Sequence, residues 1–214
     1  MPFRVLLTAL LTVFAVSSCA TPTLPMHIQQ RIAISDLPQP EADLQLTLSI
    51  ADLDGWPQPD ITTAVREAAQ TLAQCRIRIV AAELLRIKVP EPHRYFDTPR
   101  SRMLARILPV SKPTIYFAAG TRQVPAFDAE AIGRGNSRTR PELADTVWIA
   151  RGARDLGIVI AHELAHVLMD SGAHDNTPGN LMAESTVAGQ TRLTVQQCAK
   201  MRDTGARNGL LHPA

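Results

Sequence analysis

Residues 161–183, AHELAHVLMDSGAHDNTPGNLMA, limit this chain more tightly than any other stretch. A strongly apolar run leads from Asp155 to Met169, and His162 and His166 stand four apart within it. Four residues are close to one helical turn, so the run predicts a helix of about fifteen residues with both imidazoles stacked on one face. A helix this apolar belongs in a core. The chain has 214 residues, 45% of them hydrophobic, enough for one domain with a core and too few for two comfortable ones.

Two imidazoles at that spacing can reach one Zn2+ ion at about 2.0–2.1 Å each. Glu163 follows the first histidine, and in such a motif it binds no metal. Zinc lowers the pKa of a bound water toward about 7, and a nearby carboxylate accepts its proton and passes it to a leaving amine. A catalytic zinc site wants a third protein ligand and leaves the fourth position open. His174, Glu184 and Asp175 are the candidates.

The stretch HELAHVLMDSGAH…NLMA resembles the metzincin clan of zinc peptidases, in which H-E-x-x-H-x-x-G-x-x-H precedes a methionine turn. The resemblance implies His174 as third ligand and Met182 as the turn methionine beneath the ligands. Here Met169 stands where the clan has its helix-ending glycine, and His174 arrives two residues late. Asp170-Ser171-Gly172 offers a turn, with glycine free to take positive φ. Met182 lies eight residues after His174, the interval of matrix-metalloprotease-like members. The competing gluzincin pattern takes a glutamate, here Glu184, and Asp175 serves either as ligand or as an orienting partner of His174. In the clan an edge strand before the active helix binds extended substrate, and Ala131–Gly135 sits at that place. The clan's tyrosine after the methionine turn has no counterpart, since Tyr95 and Tyr116 lie upstream.

The other elements read as α+β: a metzincin-like zincin domain with a small mixed sheet, an active-site helix and a C-terminal helix. Strands are expected over 42–50, 76–89, 114–119 and 146–150, where branched and apolar residues alternate or cluster. Ile77, Ile79, Leu85, Ile87 and Val89 keep one parity in the second of these. A helix capped by Asp60 carries Ile61, Val65, Ala68 and Leu72. Thr98-Pro99 opens a short helix through Ile107, and Thr194 with Gln197 forms a capping box for the last.

The first twenty residues, MPFRVLLTALLTVFAVSSCA, read as a leader: Arg4, a short apolar run, then Val16-Ser17-Ser18-Cys19, which resembles a bacterial lipobox. This gives a signal peptide over 1–18, a lipid anchor on Cys19 with a proline-rich tether over 19–41, and the zinc domain over 42–214. Ala20 in place of an aspartate suggests an outer-membrane lipoprotein facing the periplasm. In that oxidising compartment Cys75 and Cys198 read as one disulfide. Net charge is +2, and the densest basic stretch, 134–154, is diluted by Glu142 and Asp145, so nucleic acid is not a partner. The leading reading is a lipid-anchored periplasmic zinc endopeptidase acting on peptide or protein substrates. Its rivals are a zinc-binding envelope lipoprotein without turnover and a zinc hydrolase of a non-peptide amide.

Overall fold

A computed structural model describes residues 24–122, 131–134 and 143–214. The leader, Cys19 and Gly135 lie outside them. Among the described residues no helix is long and apolar enough to cross a membrane.

The scaffold is a seven-stranded mixed sheet, larger than the sequence suggests. Its strands are β1 (His27–Ala33), β2 (Leu44–Asp52), β3 (Ile77–Lys88), β5 (Thr114–Ala118), β7 (Ala131–Arg134), β8 (Thr146–Ala150) and β9 (His212–Pro213). They run in the order β1-β3-β2-β5-β8-β7, with β9 pairing the start of β2. The central pairs β3–β2, β2–β5 and β5–β8 are parallel, and the outer strands β1 and β7 are antiparallel to their neighbours. A separate two-stranded piece joins β4 (Tyr95–Phe96) to β6 (Gly120–Thr121).

Both faces of the sheet are covered. On one, Leu46, Leu48, Ile50, Ile115, Phe117, Val147 and Ile149 meet α1 (Gln58–Ala73), α3 (Leu156–Met169) and α4 (Val195–Arg207). On the other, Ala51, Tyr116 and Trp148 face α2 (Thr98–Ile107), with Tyr116 stacked on Trp148 at 4.1 Å. Adjacent residues go to opposite faces, as the pleat requires.

β3 departs from its expected pattern. Ile77 and Ile79 lie in the main core, yet Leu85, Ile87 and Val89, of the same parity, lie in the second cluster. The cause is a bulge: Leu46 pairs with Ile79 but Thr47 with Ala81, so one extra residue on β3 reverses every later side chain.

The tether ends earlier than proline content suggests. Residues 27–33 form β1 on β3, and Ile34 and Leu37 are buried, so the tether reading of 27–41 is corrected. β1 escapes notice because an edge strand keeps polar residues on its exposed surface. Two helix starts also shift. Pro57 occupies the capping position of α1 and Asp60 sits inside its first turn, and Asp97, not Thr98, precedes α2. The capping box at Thr194 and Gln197 is present with both of its hydrogen bonds.

α3 is buried all round, from Val159 to Met169, because α1, α4, β7 and β8 all lie against it. Gly157 permits the close approach of α1: a Cβ there would lie 2.5 Å from Glu67 Cβ, which backbone attachment prevents from swinging away. Alanine gains about 1 kcal/mol in helix propensity over glycine, but overpacking costs about 1–3 kcal/mol. Gly157→Ala is therefore expected to lower the thermal midpoint by a few degrees in a circular-dichroism melt. An unchanged or raised midpoint would show that the helices separate freely here.

Candidate metal centre

α3 ends at Asp170, whose left-handed backbone (φ 47°) turns the chain back. By residue type, Gly172 is the position suited to that role. Gly172 is not among the positive-φ residues and has open space around its Cα. Aspartate is one of the few non-glycine residues that enters this conformation readily. The turn brings the Ser171 carbonyl to His166, where Nδ1 donates to it at 2.6 Å. Farther along, the Leu181 carbonyl accepts from His162 Nδ1 at 2.7 Å.

A carbonyl only accepts, so both Nδ1 atoms carry the proton. Burial lowers the pKa of His162 and takes His166 down to about 4, so both rings are neutral. Their Nε2 atoms then present bare lone pairs. These lie 2.9 Å apart, and His174 Nε2 is 3.2 Å from that of His166. Between His162 and His166 there is no proton to share, so the contact is repulsive unless a cation sits among the nitrogens. The three histidines form a group whose ligand atoms lie within 4.8 Å of one another. A tetrahedral ion with bonds of about 2.0–2.1 Å holds its ligands about 3.3 Å apart, so the donor set fits a metal.

His162 and His166 are buried, while His174 is exposed on the loop that returns from α3. Asp175 and Glu184 are not in the group. The Asp175 carboxylate is occupied elsewhere: it accepts from Thr177 Oγ1 at 2.6 Å, Thr177 N–H at 3.0 Å and Asn180 Nδ2 at 3.1 Å. The two Thr177 bonds, the hydroxyl first, hold its pKa below the usual value. No bond to His174 is among these contacts. Glu184 is exposed, and its N–H donates to Asn176 Oδ1 at 2.9 Å.

Met182 is buried in the main core. Its carbonyl accepts from Asp175 N–H at 2.7 Å, and its N–H donates to Asn180 Oδ1 at 2.8 Å. The backbone bond closes the interval between His174 and Met182, so their eight-residue spacing is the length of a closed loop. Asn180 is itself buried and had no signal in the sequence.

Glu163 stands three residues before His166, on the same side of the helix by helical geometry. It is buried, its Oε2 has no hydrogen-bond partner, and desolvation raises its pKa to about 8. A buried carboxyl without a partner is costly, and such groups concentrate where protons are moved. Cys75 and Cys198, with Cα atoms 4.9 Å apart, are joined as a disulfide.

No protein-family model matches the chain, and no curated protein does. Among solved structures it is similar to metalloproteinase-II from Bacteroides fragilis, with a TM-score of 0.54 and 15% sequence identity. The likeness covers 81% of this chain and 57% of that one, so this chain spans little more than half the neighbour's length. The fold is metalloproteinase-like. The three convergent histidines could hold a metal ion, which the donor atoms alone do not name.

His174→Ala should weaken metal binding by at least a hundredfold, since it leaves two ligands, whereas Glu184→Ala should leave it unchanged. Equilibrium dialysis with metal analysis separates the two outcomes, and equal affinity in wild type and His174→Ala would remove His174 from the ligand set.

Proposed function

We propose that this chain is a zinc-dependent endopeptidase of metzincin-like design, lipidated on Cys19 and held at the periplasmic side of the outer membrane. The observation that carries the reading is the meeting of three imidazole Nε2 atoms near the buried Glu163, whose Oε2 has no hydrogen-bond partner. Three imidazole nitrogens, with no fourth protein ligand grouped with them among the described residues, suit zinc. The metalloproteinase named among the solved structures supports hydrolysis of peptide bonds.

Zinc, when bound, supplies a Lewis acid and makes water a nucleophile at neutral pH. His162, His166 and His174 would hold the ion, and the Leu181 and Ser171 carbonyls hold two of the rings in the tautomer that leaves Nε2 free to ligate. Glu163 takes a proton from the attacking water and returns it to the amine as the C–N bond breaks. Desolvation on its own favours the protonated carboxyl; the positive charge of a bound metal ion would favour the ionised form that accepts the proton. Tyr116 takes no part, since it is stacked on Trp148 beyond the far face of the sheet.

The substrate lies extended along β7. This strand ends the sheet, borders α3, and has no partner on its outer edge among the described residues. Backbone pairing there gives affinity for unfolded or extended peptide without demanding particular side chains. The disulfide suits an oxidising compartment and so supports the periplasmic placement.

Glu163→Gln is the decisive variant. It should keep one zinc per chain while cleavage of a fluorogenic peptide library falls by about 10²–10⁴. Full activity in the variant would exclude Glu163 from proton transfer. A zinc-loaded wild type that cuts no peptide would transfer the argument to a binding lipoprotein or a non-peptide amide hydrolase. The anchor is tested separately: protein extracted from bacterial membranes should begin at an acylated Cys19 by mass spectrometry, and an unmodified N-terminus elsewhere would refute it.

A further inference from the structure

Helix α3 positions His162 and His166, but His174 arrives on an exposed loop that the helix does not control. The His162 ring also depends on that loop, through the Leu181 carbonyl. The question is what fixes the loop.

Its two arms pair with each other. Leu181 N–H donates to the Arg192 carbonyl at 2.7 Å, and Arg192 N–H donates to the Gly179 carbonyl at 3.0 Å. Asn180 and Arg192 form an isolated parallel bridge. Outside this seam stands Gln74, just past the end of α1. Its Nε2 donates to the Thr191 carbonyl at 2.8 Å, and its Oε1 accepts from Leu193 N–H at 2.9 Å. One amide thus grips both backbone neighbours of Arg192. A bond from Nε2 to the Thr71 carbonyl at 2.6 Å ties the grip to its own helix.

A second glutamine holds the other arm. Gln197 on α4 accepts through Oε1 from Thr194 N–H at 2.8 Å and from Asn180 Nδ2 at 3.2 Å. Its Nε2 lies 3.2 Å from Asn180 Oδ1 and 3.4 Å from Asp175 Oδ2. Asp175 follows His174, and Asn180 precedes Leu181. Gln197 therefore touches the immediate neighbours of both functional atoms on the loop.

Gln74 and Gln197 are also the sequence neighbours of Cys75 and Cys198, the two ends of the disulfide. We propose that Gln74 and Gln197 are positioning residues of the metal centre, two amides spaced by the Cys75–Cys198 bond that hold the loop carrying His174 and the Leu181 carbonyl. The inference rests on the metal-site reading and extends it to residues that touch no ligand atom. Its consequence is that affinity for a divalent transition metal is set in part at the junction of α1 and α4.

Glutamate substitutions separate this role from helix capping. Gln197→Glu keeps an acceptor for Thr194 N–H, and glutamate serves a capping box as well as glutamine does. It also replaces the donor by an anionic oxygen facing Asp175. Gln74→Glu likewise keeps the acceptor for Leu193 N–H and sets an oxygen against the Thr191 carbonyl. Ile87→Val, in the cluster on the opposite face of the sheet, is the control for general loss of stability.

The full-length chain and these variants would be titrated with Zn2+ against a chromophoric chelator, and with Co2+ followed by visible absorption. Both glutamate variants should bind Zn2+ about 10–100-fold more weakly, as removal of partners behind metal ligands commonly does. Their Co2+ band should shift or lose intensity, and Ile87→Val should bind as wild type. Wild-type affinity and spectrum in both glutamate variants would overturn the proposal, as would equal weakening in Ile87→Val. Wild type that binds neither ion would overturn the metal reading itself, and this inference with it.

Discussion

Two backbone carbonyls decide what the histidines of α3 can do. A pair of imidazoles four apart on a buried helix is compatible with an inert core, provided each ring nitrogen finds a partner. Here the Leu181 and Ser171 carbonyls take the Nδ1 protons and leave both Nε2 lone pairs pointing at one another, 2.9 Å apart. Burial keeps the rings neutral, so no extra proton relieves the contact. The segment after the helix is thus what gives α3 a donor set able to hold a metal ion. It fixes the tautomers and brings in the third ring.

The surroundings of α3 serve the same end. Gly157 lets α1 close over its first turn. Gly205 does the same for α4, where a Cβ would meet Leu211 and come within 3.1 Å of Leu168. The helix is wrapped on several sides, and the water that would otherwise solvate Glu163 is excluded. An unpaired buried polar group costs about 1–3 kcal/mol, which the apolar contacts of the same helix offset. For stability alone, that carboxyl would be better replaced by an apolar side chain. Its presence in so dry a position makes sense as chemistry.

Features that depend on short-range pattern were legible in the sequence. The apolar run with His162 and His166, the face of α1, the Thr194–Gln197 box and the strands at 114–118 and 146–150 all carry local signals. What was not legible depends on partners far along the chain. β1 is recognisable only once β3 is available to pair with it. The β3 bulge needs knowledge of the register against β2, and without it Leu85 and Ile87 are assigned to the wrong face. Gln74 binds backbone 117 and 119 residues away, and no pattern near Gln74 announces that. Asn180 looks like an ordinary loop residue until its burial and its bonds to Met182 and Gln197 are seen.

The late third histidine also has a local explanation. In the resembled pattern, a glycine three residues after the second histidine ends the helix, and the third histidine follows three residues later. Met169 occupies the glycine position here and stays helical, so the left-handed residue is Asp170, one place later. From Asp170 to His174 is four residues in place of three. The delay of two therefore divides equally between helix and loop. The extra helical residue is allowed because aspartate tolerates the left-handed turn that methionine would resist. The extra loop residue leaves slack for Ser171 to aim its carbonyl at His166 Nδ1 while His174 Nε2 still reaches 3.2 Å from that of His166. A pattern defined by fixed spacing reads this as a mismatch, whereas the backbone absorbs it at two adjacent points and still brings the third imidazole to the other two.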